Sequence, residues 1–187
     1  MFKLLKTIAK AGESTTKYPF APIEVDDTFR GKPEFLPEQC IACAACTRAC
    51  PPNALIMETN EQTGIRRWQL SLARCIYCGR CEEVCPTGAI KLSKEFELAV
   101  TNKADLYQQA EFSLSHCQTC EQAFAPKKSV QYVLDLLIHN GLDESQIEQW
   151  AKLLNTCPEC RRKQNMLGGD GIFQGHSLIQ ESTDERN

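Results

Sequence analysis

Residues 40–51 read CIACAACTRACP and residues 75–86 read CIYCGRCEEVCP. Each stretch has the form CxxCxxCxxxCP, so Cys40, Cys43, Cys46 and Cys50 answer to Cys75, Cys78, Cys81 and Cys85 at a constant offset of 35 residues. Two residues between cysteines make a loop tight enough to turn successive sulfurs toward one point. Three residues before the last cysteine begin a helical turn that carries its sulfur away from its own loop. Pro51 and Pro86 follow; lacking an N–H to donate, each ends the turn and redirects the chain.

This is the spacing of thiolate runs that hold cubane clusters, in which the fourth cysteine of each run ligates the other cluster. The reading is therefore two 4Fe–4S clusters, one on Cys40, Cys43, Cys46 and Cys85 and the other on Cys75, Cys78, Cys81 and Cys50. A disulfide scaffold or a pair of zinc sites competes for these cysteines, and the duplicated run with both prolines argues against either. Ile41 and Ile76, after the first cysteine of each run, are expected to form apolar lids that keep water from the clusters. Gly79 is expected to let backbone approach the Cys78 sulfur closely.

The chain of 187 residues has room for one main domain and a smaller module. The apolar part of MFKLLKTIAKAG is short and broken by Lys6, so no signal peptide is expected. No window approaches the roughly 20 apolar residues that span a bilayer. Twelve cysteines needed as free thiols point to a reducing cytoplasm. Four thiolates around an oxidised core leave about −2 per cluster, which carries the formal net charge of −3 to about −7 in the loaded protein. Such acidity argues against nucleic acid as a partner. Arg48, Arg66, Arg67, Arg74 and Arg80 are either cluster-tuning charges or ordinary solvated surface.

Along the chain, Phe2, Leu5, Ile8 and Ala9 recur at helical spacing, with Lys3, Lys6 and Lys10 on other faces. This basic amphipathic turn suits a membrane surface or, preferably, another subunit near the membrane. Residues 13–38 hold Pro19, Pro22, Pro33 and Pro37 with Tyr18, Phe20, Phe29 and Phe35 between them. Proline at that density predicts an extended strap, its rings shared between the main domain and a partner. Ala54–Thr59 and Ile65–Leu72 read as a hairpin around NEQTG, and AIKLS repeats the first strand after the second run.

From about Phe96 the composition changes. HCQTC (Cys117, Cys120) and TCPEC (Cys157, Cys160) are two CxxC knuckles. Between them, Lys127–His139 carries Val130, Val133, Leu134, Leu137 and Ile138 on one helical face and stops at Asn140-Gly141. Asp143 caps a second helix bearing Ile147, Trp150, Leu153 and Leu154. An antiparallel pair of helices would set the knuckles side by side, and four such sulfurs suit tetrahedral zinc or a single rubredoxin-like iron. His116 is not assigned as a ligand. The expected architecture is α+β: a strap over 1–38, a two-cluster ferredoxin-like domain over 39–95, a helical-hairpin metal-knuckle module over 96–166 and a flexible or partner-ordered tail over 167–187.

Tyr18-Pro19, FRGKP (Phe29–Pro33) and both cysteine runs, including CIYCGRCEEVCPTGAI, resemble the eight-iron ferredoxin subunit shared by respiratory complex I and membrane-bound nickel–iron hydrogenases. The added Cys117/Cys120 and Cys157/Cys160 module is most similar to the iron–sulfur subunit of formate hydrogenlyase and its close hydrogenase relatives; the complex I subunit usually lacks it. Pro51-Pro52 departs from the usual single proline without touching a ligand. The resemblance implies a peripheral subunit on the cytoplasmic face of the inner membrane, part of a complex with a membrane arm. Its electrons would come from an upstream iron–sulfur subunit on the formate dehydrogenase side and pass to the hydrogenase small subunit, beside the large subunit.

Independently of that likeness, all eight cysteines of the two runs are spent as ligands, so no iron is left open to substrate. Neither a dinucleotide fingerprint nor a nucleophilic triad is visible. The expectation is a non-catalytic electron-transfer subunit. A complex I-type subunit, a freestanding soluble ferredoxin and a zinc-dependent regulatory protein are the alternatives.

Overall fold

The structure is a computed structural model and describes residues 2–12 and 15–167. The tail expected over 167–187 thus lies, from residue 168 onward, outside the described residues. The elements run in order: α1 (Phe2–Ala11), β1 (Pro33–Phe35), α2 (Ala45–Ala49), β2 (Leu55–Asn60), β3 (Ile65–Ser71), α3 (Arg80–Glu83), β4 (Ile90–Leu92), β5 (Tyr107–His116), β6 (Ala123–Pro126), α4 (Lys127–His139), α5 (Glu144–Leu154) and α6 (Pro158–Leu167). Strand β1 pairs antiparallel with β4, and β2, β3, β5 and β6 form a second antiparallel sheet in that order.

The offset of 35 residues governs the backbone as well as the cysteines. Left-handed residues fall in pairs at that offset: Ala42 with Tyr77, Ala44 with Gly79, and Asn53 with Gly88. Pro33 pairs with Leu92 and Phe35 with Ile90; 35 positions away, Trp68 pairs with Met57 and Leu70 with Leu55. The repeat therefore begins at residue 33, inside the segment expected to be strap. Three residues of strand were too few to show as alternation.

Packing follows from that pairing. Trp68, Leu70, Leu55, Ile90, Ala54 and Phe112 form a buried core. Phe35 stacks on Trp68 with ring centroids 3.7 Å apart and planes 14° off parallel. Burying a ring as large as that of Trp68 is a substantial apolar gain in a domain with so few core residues. In β5, Phe112 and Leu114 are buried while Glu111 and Ser113 point to solvent. This strand extends the sheet across the boundary drawn between residues 95 and 96. Its alternation is legible in the sequence but was overshadowed there by the change in composition. Helices α4 and α5 run over the expected residues, and Asp143 and Gln146 form a capping box. No side chain of either helix is buried; Val133, Ile138 and Trp150, on the faces read as apolar, are exposed.

Between α1 and the first cysteine the strap turns at residues 18–21 and then lies along β4. Tyr18 and Phe29 both pack on Phe96, at 5.8 and 6.1 Å, whereas Phe20 is 97% exposed. Gly31 donates its N–H to the Ser93 carbonyl at 2.9 Å. A Cβ there would sit 2.2 Å from the Glu95 carbonyl oxygen and 2.7 Å from that of Ser93. Backbone oxygens cannot rotate aside as a side chain can, so the strap depends on glycine at this position. Gly31→Ala is expected to cost about 1–3 kcal/mol and to free residues 15–32 from β4. Anaerobic thermal unfolding together with limited proteolysis of the strap measures both effects.

Candidate iron–sulfur and metal centres

Each cysteine run is a tight loop followed by a short helix, and backbone N–H groups point at its sulfurs. Ala42 N–H donates to Cys40 Sγ at 3.4 Å, and Tyr77 N–H to Cys75 Sγ at the same distance. At the far ends, Ala54 N–H donates to Cys50 Sγ at 3.3 Å and Ala89 N–H to Cys85 Sγ at 3.2 Å. These bonds favour thiolate over thiol, the form that binds iron. Left-handed φ at Ala42 (56°) and Tyr77 (54°) aims the N–H groups and costs an L-residue about 1–2 kcal/mol each. Gly79 caps α3 at φ 80°, a left-handed conformation that glycine adopts without strain; beyond its chain neighbours, a Cβ there would meet only the Leu92 and Arg30 side chains, at 3.5 Å or more.

The two runs interleave. Cys50 from the first run lines one cavity with Cys75, Cys78 and Cys81 from the second. Cys85 from the second run is near enough to Cys40 and Cys46 of the first for its charge to act on both. Burial pushes those two thiols up, and neighbouring sulfurs including Cys85 push them further. Burial likewise carries the Cys81 thiol up to about 12. At Cys85 burial acts in the same sense, but hydrogen bonds from Thr87 and Ala89 outweigh it and hold the thiol below its ordinary value. Buried sulfurs that raise one another's pKa are unfavourable as bare thiolates. They fit a cationic iron core placed among them, and the donor set suits 4Fe–4S clusters.

Around these loops, Ile76 lines the cavity of Cys50 and Cys75 yet is 59% exposed, and Ile41 is half-buried. Of the five arginines singled out in the sequence, Arg66 reaches a cysteine loop, donating to the Ala42 carbonyl at 3.1 Å. Arg67 pairs with Glu111 and Arg80 with Glu83 on the surface, while Arg48 and Arg74 are exposed. Arg30, which sequence reasoning did not single out, donates to the Cys78 carbonyl at 3.0 Å. It belongs to the FRGKP stretch, so strap and second cysteine loop are joined there.

The knuckles meet as expected. The Sγ atoms of Cys117, Cys120, Cys157 and Cys160 all lie within 4.8 Å of one another, and Cys120 and Cys157 are 3.8 Å apart. Metal–sulfur bonds of about 2.3 Å give a tetrahedral edge of about 3.8 Å, so the set fits one zinc or one iron. Strand β5 delivers Cys117, the α4–α5 hairpin returns the chain, and Cys157 precedes α6. Cys157 N–H donates to Cys117 Sγ at 3.2 Å and is the first cause of a thiol lowered to about 6. His116 is exposed, its ring 3.7 Å from where a Gly64 Cβ would lie, over the β2–β3 turn.

The start of α4 grips the first cysteine loop. Lys128 donates to the Pro37 and Glu38 carbonyls at 2.8 and 3.0 Å, and the Ser129 hydroxyl donates to the Ile41 carbonyl. The four-cysteine module is thereby latched to the loop of Cys40 and Cys43.

Interleaved cysteine runs in a small α+β domain define a two-cluster, ferredoxin-type iron–sulfur protein. Residues 39–89 match the 4Fe-4S dicluster domain family. Across 172 residues, 92% of the chain and 94% of the relative, it is 51% identical to formate hydrogenlyase subunit 6 of Escherichia coli K12. A more distant relative is the chloroplastic NAD(P)H-quinone oxidoreductase subunit I of Chara vulgaris, 36% identical over 62% of this chain and 76% of that one. A subunit of the membrane-bound sulfane sulfur reductase, an archaeal respiratory membrane complex, is 26% identical over 56% of each chain, with a TM-score of 0.44. The chain belongs to the family of formate hydrogenlyase subunit 6, iron–sulfur subunits that transfer electrons. Among the described residues, no helix is long and apolar enough to cross a membrane.

The latch gives a testable consequence. Ser129→Ala leaves the half-buried Ile41 carbonyl without its donor, at a cost of about 1 kcal/mol. Faster hydrogen–deuterium exchange over residues 41–43, with exchange over 76–78 unchanged, is the expected result.

Proposed function

We propose that the chain is a relay. It accepts single electrons from an upstream iron–sulfur subunit on the formate dehydrogenase side and passes them to the small subunit of a membrane-bound nickel–iron hydrogenase. The observation that carries this reading is the interleaving of the runs, with Cys50 in the cavity of Cys75, Cys78 and Cys81, and Cys85 near Cys40 and Cys46. On this reading Cys40, Cys43, Cys46 and Cys85 hold one 4Fe–4S cluster, and Cys75, Cys78, Cys81 and Cys50 hold the other. When bound, the clusters supply one-electron redox chemistry.

The chain's own residues do the rest. Crossing Cys50 and Cys85 between the runs ties both loops into one rigid unit and fixes the gap between the two centres. N–H groups of Ala42, Tyr77, Ala54 and Ala89 stabilise the sulfurs as thiolates, and Ile41 and Ile76 limit water beside them. Each centre has four cysteines, so none offers an open iron, and the subunit is non-catalytic. Cys117, Cys120, Cys157 and Cys160 hold zinc or a single iron in a structural role, bracing the first cysteine loop through Lys128 and Ser129.

Helix α1 presents Phe2, Leu4, Leu5 and Ile8 to solvent beside its lysines. It docks on a neighbouring subunit at the cytoplasmic face of the inner membrane, where the hydrogenase large subunit and the membrane arm complete the complex.

Anaerobic purification of the tagged chain from its own cells tests the relay. Hydrogenase subunits and an iron–sulfur carrier in the eluate are expected; a lone soluble chain with two reducible cubanes would favour a freestanding ferredoxin instead. Crossed ligation makes a separate prediction. Cys50→Ala damages the cluster on Cys75, Cys78 and Cys81 and largely spares its neighbour, as read by EPR of the reduced protein. Selective loss of the Cys40-loop signal would refute the crossing.

A further inference from the structure

Trp68 stands at the centre of the core with no exposure, and its indole N–H is buried without a hydrogen-bond partner. A buried donor left unpaired carries a desolvation penalty, which an acceptor bound beside it would relieve. Phe35, stacked on the ring at 3.7 Å, fixes the plane in which the N–H points. Cys46 packs against this same core. The indole lies near enough to Cys46 to oppose the burial that raises this thiol, without forming a hydrogen bond to it.

The internal repeat makes this arrangement one-sided. Trp68, paired with Met57, has as its counterpart 35 residues away Pro33, paired with Leu92. Pro33 is fully buried and lines the cavity of Cys81, the counterpart of Cys46. Proline has no N–H. Other donors are more evenly shared: each loop takes one arginine at a backbone carbonyl, Arg66 at Ala42 and Arg30 at Cys78. The indole beside Cys46 has no such counterpart; among side chains at the sulfurs it shares that one-sidedness with the Thr87 hydroxyl at Cys85, whose counterpart is Pro52.

We infer that Trp68 is a tuning residue: with the cluster bound, its indole N–H donates to the Cys46 sulfur and makes that cluster the more easily reduced of the two. Reduction adds one electron to the iron–sulfur unit, with no bond made or broken and no proton required. A fixed donor stabilises the more negative state more strongly, so the potential rises. The inference rests on the two-cluster reading. It does not depend on the crossing of Cys50 and Cys85, because Cys46 and Cys81 stay with their own loops.

The test uses the full-length holo-protein, purified anaerobically and labelled with 15N in the tryptophan indole. It is titrated stepwise with dithionite and followed by pulsed EPR. The chain has two tryptophans, and the other, Trp150, is an exposed residue of α5. A nitrogen coupling is expected on one cubane signal, the one of higher potential. Trp68→Phe keeps a ring for Phe35 to stack on and removes the N–H. It is expected to abolish that coupling and weaken that cluster's hold on its electron about tenfold, about 59 mV for a one-electron couple, leaving the other cluster unchanged.

A coupling on neither cluster, or on the cluster of lower potential, overturns the inference. So does a Trp68→Phe protein whose two potentials stay put or shift equally. If the variant fails to take up iron, the labelled native protein decides alone. A native protein with a single cubane signal would remove the two-cluster reading, a result distinct from an unshifted potential.

Discussion

Sulfur atoms crowded at the bottom of two loops repel one another once ionised, and the rest of the domain is arranged to make that crowding tolerable. Burial raises the thiols of Cys40, Cys46, Cys75 and Cys81. Backbone N–H groups, aimed by residues held at positive φ, pull the other way. The balance is struck twice, once per loop, with the same backbone geometry 35 residues apart. A cationic core is what such a set of donors lacks, which is why the site reads as a holder for clusters and not as a set of nucleophiles.

The sheets serve the loops. Strands β1 and β4, and their counterparts β3 and β2, flank the two cysteine runs and meet where Phe35 stacks on Trp68. That stack joins the two halves of the repeat through their largest rings. The same tryptophan sits where the two halves differ in chemistry, since its counterpart is proline. A duplicated scaffold with one unlike pair at its centre is a simple route to two centres with different properties.

The four-cysteine module is continuous with this body. Strand β5 adds to β3 along its length, and the first residues of α4 hold the carbonyls of Pro37, Glu38 and Ile41. A fold in the chain pinned by one metal would stiffen the base of α4 and so the grip on the first loop. The apolar faces left open on α1, α4 and α5 are consistent with a chain that works inside a larger assembly.

Both cysteine runs, the β2–β3 hairpin, the two long helices and the pairing of the knuckles were legible in the sequence. Each depends on short-range spacing or on periodicity sustained over several residues. Strand β1 was not, because three residues are too few for alternation to show, and its partner lies more than fifty positions away. The contacts of Arg30 with Cys78, of Ser129 with Ile41 and of Phe35 with Trp68 join residues distant in sequence. Local chemistry thus settles which atoms can bind a metal. Which donors stand behind those atoms is decided by packing between remote segments, and that information exists only once the chain has folded.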